Sequence, residues 1–122
     1  MEREEPRLFV ALNTQPYEWF KSRAKSWELR RARRQFTTQH LRVGRRVELR
    51  AGYGRARPPL WGRIAAVHTA HSLEDFFSAV PFHLVIPSAP SVKSAIVSAS
   101  QILGIEPLAS VPLIGFRVTL DD

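Results

Sequence analysis

Apolar residues in this chain come in short runs, many of them alternating with polar ones, and glycine, proline and charged clusters separate the runs. Leu8-Phe-Val-Ala-Leu12 reads as a first strand. Asn13 or Thr14 can cap the helix that follows, Pro16 suits its first turn, and Tyr17 and Phe20 give this two-turn element, ending near Arg23, an apolar side. In Lys25-Ser-Trp-Glu-Leu-Arg-Arg31, Trp27 and Leu29 share one face while Ser26, Glu28 and Arg30 share the other. That is the pattern of a half-buried strand whose polar face carries its own ion pair. Gly44 then turns the chain into Arg45-Arg-Val-Glu-Leu-Arg-Ala51, with Val47 and Leu49 as the buried side.

Gly52-Tyr-Gly-Arg-Ala-Arg-Pro-Pro59 is a loop, because glycine frees the backbone and two prolines remove donors that a ladder needs. Trp61–Thr69 reads as a central strand, with Ile64 and Ala66 on one face and Ala65 and Val67 on the other. Ser72 and Asp75 form a capping pair for a short helix lined by Leu73, Phe76, Phe77 and Val80 and stopped by Pro81. Phe82–Ile86 is expected to be a strand or an extended connector. Ser91 caps a longer helix with a stripe of Val92, Ala95, Ile96, Ala99 and Leu103, ended by Gly104. Pro112–Leu120 is the last strand, in which Gly115 predicts a bend or bulge. Five or six short strands with two or three helices predict an α+β fold, a small curled sheet whose ends the helices seal.

Length allows one domain over residues 1–122, with a core at about 8–120, and an apolar content of 44% supplies that core. The longest apolar runs fall far short of the roughly 18–20 residues that a bilayer span requires, and the charged start lacks the apolar centre of a signal peptide. Cysteine is absent, which removes disulfides and sulfur-based zinc sites and fits a cytoplasmic protein. Charge changes the picture most. The net charge is +7, and fourteen Lys or Arg residues between Lys21 and Arg63 face only Glu28 and Glu48, whereas Phe76–Leu120 is nearly neutral. A positive field this concentrated gathers anions, and phosphate backbones are the commonest large ones. The alternative is a basic surface with no dedicated partner.

The stretch from Ala11 to Arg30, a strand, a Pro-Tyr helix and then Lys25-Ser-Trp-Glu28-Leu-Arg30, resembles the opening signature of the ASCH family, with its Lys-x-x-Glu-x-Arg strand. Val43-Gly-Arg-Arg-Val-Glu-Leu49 is similar to the family's Gly-Asp turn into the next strand, with Arg45 in the acidic position. The resemblance implies a PUA-like β-barrel of five or six strands with two or three flanking helices, suited to RNA. It also implies a possible enzyme, because some ASCH proteins resemble ribonucleases or small amidohydrolases acting on acetylated cytidine, with the motif lysine, here Lys25, as the principal catalytic residue. Those amidohydrolases carry threonine at the position of Glu28.

The residues themselves allow three roles. A lysine at a barrel mouth neutralises a phosphate or, when desolvated, becomes a base. Glu28 and Arg30, two apart on one strand face, fix each other and leave a guanidinium fork for a phosphate or base edge. In an enzyme, Lys25 is the candidate base or transition-state clamp, Glu28 its acid or base partner and Arg30 the electrostatic stabiliser. The third role is a structural ion pair. Arg31, Arg33, Arg34, Arg45, Arg46, Arg55 and Arg57 are the expected nucleic-acid contacts, with Tyr53 as the exposed stacking ring, Trp19 as a cover for the cleft, and Trp27 in the core. His68 and His71 lack a well-spaced third ligand, so neither a metal nor another cofactor is expected. The expected partner is RNA or a nucleotide, bound by a monomer or weak dimer.

Overall fold

The alternation at Leu8–Leu12 becomes the first strand of the computed structural model, which describes residues 5–122. In β1 (Leu8–Leu12), Leu8, Val10 and Leu12 are buried and Phe9 and Ala11 turn to the other face. The chain continues as α1 (Thr14–Lys21), β2 (Trp27–Arg31), β3 (Arg46–Ala51), β4 (Leu60–Ala70), α2 (Leu73–Ala79), α3 (Val92–Leu103) and β5 (Leu113–Leu120). The strands form one sheet in the order β1-β3-β4-β5-β2. β1 and β3 run parallel, and every other neighbouring pair is antiparallel. The result is a small α+β domain: a curled, half-barrel sheet with three helices among the described residues.

Two cores use the two faces of the curl. One gathers Leu8, Val10, Val47, Leu49, Ile64, Phe116 and Val118 with Tyr17 and Phe20 of α1. The other lies beneath α2 and α3 and gathers Leu29, Leu73, Phe76, Phe77, Ala95, Ala99 and Leu113. β1 and β2 are the sheet's edges, and curling brings them together without a ladder between them. Side chains close this seam instead. Arg30 Nη2 donates to the Ala11 carbonyl at 3.0 Å, and Gln35 Nε2 donates to the Phe9 carbonyl at 3.1 Å. Edge carbonyls that a barrel would give to a neighbouring strand are thus satisfied by two polar side chains.

Four local expectations change. β4 is not a regular alternation. A bulge between Ile64 and Ala66 sets Ile64 opposite Val118 and Val67 opposite Phe116, so Ile64 and Val67 face the same core. Gly115, by contrast, sits in a β5 whose register with β2 runs unbroken. It is needed because a Cβ there would lie 2.3 Å from Cζ of Phe76. Phe82–Leu84 is a 3-10 turn, not a strand, and it delivers Val85 and Ile86 to the second core. Val92 is 44% exposed and leaves the stripe of α3 to Ala95 and Ala99, with Ile96 and Leu103 packed at its margin.

The caps follow their chemistry. Ser72 and Ser91 accept from the backbone N–H groups of Asp75 and Ser94, each at 3.1 Å, and Gly104 closes α3 at φ 68°. Asn13 occupies the cap position of α1, but its side chain makes no cap hydrogen bond. That helix ends at Lys21, two residues short of Arg23.

Candidate functional site

The link from α1 to β2 is short and pinned at several points. Arg23 takes the left-handed conformation at φ 68°, the Lys25 amide donates to Trp19 O at 3.1 Å, and the Ser26 amide donates to Leu84 O at 3.0 Å. This turn drives the Lys25 side chain inward, where it is only 5% exposed. Its Nζ donates to the Val85 carbonyl at 2.5 Å, lies 3.3 Å from Glu28 Oε1 and sits over the Phe20 ring at 5.5 Å.

Glu28, also buried, divides its oxygens between two cations. Oε1 faces Lys25, while Oε2 accepts from Arg30 Nε at 2.8 Å and lies 2.7 Å from Nη2. Arg30 in turn spreads its guanidinium over Phe36 at 4.7 Å, and Phe36 stacks on Phe116. Every charge at this centre is therefore hydrogen-bonded, as burial demands. Burial pushes the Lys25 amine below its ordinary value, against the upward pull of Glu28 and with help from Arg30. Burial would push the Glu28 carboxyl up, but Lys25 and Arg30 outweigh it and hold the group below the usual carboxylate range.

These three residues form the floor of a cleft of about 440 Å³. Trp19, Ile86, Ile102 and Leu103 give it apolar walls, and Ala11 and Phe36 line the side toward the seam. Its basic rim comes from Arg31, Arg33 and Arg34. None of these three has a carboxylate partner among the described residues. A tight turn positions two of them: the Phe36 amide donates to Arg33 O at 2.9 Å, and Arg34 sits at φ 57°, a conformation glycine usually fills.

The structure brings together Lys25, Glu28, Arg30, Arg31, Arg33 and Arg34, and separates the remaining predicted contacts from them. Arg45, Arg46, Tyr53, Arg55 and Arg57 do not line the cleft. Three of these are engaged elsewhere. Arg45 bonds the Pro6 and His40 carbonyls beside Glu5, Arg46 pairs with Asp121 at 3.0 Å over the Trp61 ring, and Arg57 reaches Glu18 at 3.1 Å. Tyr53 is 86% exposed and Arg55 is exposed in the same loop. Trp19 does border the cleft, and Trp27 packs against the second core. His68 rests half-buried beside Phe76, with ring centroids 5.9 Å apart. The wall formed by Val85, Ile86, Ile102 and Leu103 escapes sequence reasoning, since those residues lie at least fifty positions from Lys25 and carry no polar signal. Ile102 offers a hint in sequence as an apolar residue off the stripe of α3, and the structure leaves it 73% exposed beside the cleft.

No family model matches the chain, and no curated protein matches it. Solved structures share its fold. Hypothetical protein PH0355 superimposes on 95% of this chain and 100% of its own with a TM-score of 0.75 at 13% sequence identity. Protein PF0455 from Pyrococcus furiosus covers 94% of this chain and 97% of its own, with a TM-score of 0.67 at 16% identity. At such identities the likeness concerns the fold alone.

Proposed function

We propose that this chain is an ASCH-like, PUA-like domain that binds RNA or a nucleotide in the cleft over Lys25, Glu28 and Arg30. The observation that carries this reading is the convergence of Arg31, Arg33 and Arg34, all without carboxylate partners among the described residues, on one apolar-walled hollow. An unpaired arginine rim suits phosphate, which the guanidinium fork grips through two parallel hydrogen bonds. The hollow's 440 Å³ lies within the roughly 300–1,000 Å³ of small-ligand sites, room for a nucleotide and not for a duplex. Phosphate at the rim leaves the base to the apolar wall beside Trp19, with Glu28 and Arg30 at the floor.

A second reading, hydrolysis of RNA or of an acetylated nucleoside, draws support from the buried amine of Lys25. Desolvation favours its neutral form, the form that acts as base, and Glu28 stands 3.3 Å away to exchange a proton. Glu28 stands where the amidohydrolases have threonine, so the ligand-binding reading comes first. One experiment separates the two. The protein is incubated with a mixed RNA pool and with acetylated cytidine, alongside Lys25→Ala and the better-packed Lys25→Met. Retention of RNA without product is the expected result. Product formed by the wild type and lost in both folded variants would replace binding by catalysis, and failure to retain either ligand would end the proposal.

A further inference from the structure

We propose that the occupant of the cleft is one nucleotide of a single strand, and that the neighbouring base stacks on Tyr53. This deepens the reading of the cleft as a nucleotide site and rests on it.

The alternation of β1 puts Phe9 and Ala11 on the same outward face. Ala11 lines the cleft, so Phe9 continues that surface two residues away, roughly 6.6 Å along the strand. That step exceeds the roughly 3.4 Å rise between stacked bases, so it suits a single strand whose neighbouring base is splayed away from the first. The Tyr53 ring lies against Phe9 with centroids 5.8 Å apart and planes 21° from parallel, yet it remains 86% exposed. Phe9 thus flanks the tyrosine, and most of the ring's surface is open to solvent. Base–aromatic stacking on such a ring tolerates any sequence because every base has a flat face.

Charge on this strip favours a polyanion. Glu48, opposite Phe9 in the ladder, is shared by Arg7 at 2.5 Å and Arg50 at 2.6 Å, leaving one positive charge in excess. Arg55, two residues beyond Tyr53, has no carboxylate partner among the described residues. The strip is also tied to the cleft rim, since Gln35, next to Arg34, donates to the Phe9 carbonyl at 3.1 Å. A strand leaving the arginine rim therefore meets the Phe9–Tyr53 pair next.

Titration calorimetry with uridine monophosphate and with hexauridylate tests this, using wild type, Tyr53→Ala, Tyr53→Trp and the pair Arg33→Ala with Arg34→Ala. Tyr53→Ala is expected to weaken hexauridylate about tenfold, the equivalent of one stacked base, and to leave the monophosphate unchanged. Tyr53→Trp keeps or tightens the hexamer. Unchanged hexamer affinity in Tyr53→Ala, or equal loss for the monophosphate, overturns the proposal. Loss of a dimer in sedimentation without loss of hexamer affinity also overturns it and makes the ring a protein contact. The arginine pair tests the cleft separately: loss of both ligands upholds the nucleotide site, and retention of both sinks that site whatever Tyr53 does.

Discussion

Lys25 Nζ stands 3.3 Å from Glu28 Oε1 in a position where both groups are almost cut off from water. A pair like this is easily damaged from one side, because removing one partner strands the other as an unpaired buried charge. Glu28→Gln leaves Lys25 and Arg30 facing an amide, and its expected cost is about 3–5 kcal/mol in urea denaturation. Lys25→Met is expected to cost less, since Glu28 keeps Arg30 and the methionine refills the volume. Equal losses in the two variants would show that the lysine contributes its charge to the fold as much as the carboxylate does.

Acid should act on the same centre. In the folded protein Glu28 is held below the usual carboxylate range. Glu48 is too, because hydrogen bonds from Arg50 and Arg7 outweigh the upward push of burial. Below about pH 4.3 the unfolded chain therefore takes up protons that the native state refuses, and stability falls until the folded-state values are passed. Lys25 acts with the opposite charge. Its lowered value makes stability rise with pH between the folded value and about 10.4. Melting temperatures between pH 3 and 7 should decline on the acid side for the wild type and decline less steeply for Glu28→Gln. Parallel profiles would remove Glu28 from the acid response.

Side-chain periodicity locates β1, β3, the capped helices and the strand of Glu28 and Arg30, because each depends on neighbours in sequence, whereas Lys25, expected in that strand, lies in the turn before it. Periodicity fails where a distant residue decides. The bulge at Ile64–Ala66 reflects the demand of Val118 and Phe116 for partners on one face, and the small residues Ala65 and Ala66 fit either face equally well. Gly115 looks like a bend in sequence and is in fact the hollow for Phe76. The arginines were legible as a charge excess but not as a map. Whether a cation is free depends on carboxylates such as Glu5, Glu18 and Asp121, which reach it from far along the chain.

Packing at Gly115 gives a test of the second core. Gly115→Ala sets a methyl 2.3 Å from the Phe76 ring, which is fully buried and pinned by Phe77 and Trp27. The expected loss is about 1–3 kcal/mol, as for other overpacked cores. In a cycle with Phe76→Leu the two losses should not add, because the smaller side chain yields the space. Simple additivity would mean that the backbone, not the ring, moves to relieve the contact.

The seam between β1 and β2 predicts an effect of shape at constant charge. Arg30→Lys keeps a cation near Glu28, but a single ammonium cannot serve Glu28 and the Ala11 carbonyl with the geometry of a guanidinium. The expected cost is about 1–3 kcal/mol, the penalty for a buried polar group left without its partner. Amide exchange in β1 should quicken more than in β4, which lies at the centre of the sheet. Gln35→Ala, removing the exposed half of the seam, should cost well under half as much.

Under the proposed function, salt dependence should distinguish arginines that meet phosphate from those that hold the fold. Each phosphate contact on a single strand contributes roughly 0.7 to the slope of log affinity against log salt concentration. Arg31, Arg33 and Arg34 each replaced by alanine should therefore lower that slope by about one contact's share and weaken binding to all sequences alike. Arg46 and Arg57 are paired with Asp121 and Glu18, so their replacement should leave the slope nearly unchanged. Arg55→Ala should flatten it for hexauridylate but not for the monophosphate, since its loop lies on the Tyr53 strip and outside the cleft. A uniform drop across all these arginines would mean that the whole basic surface attracts the ligand diffusely, and the cleft would lose its claim to it.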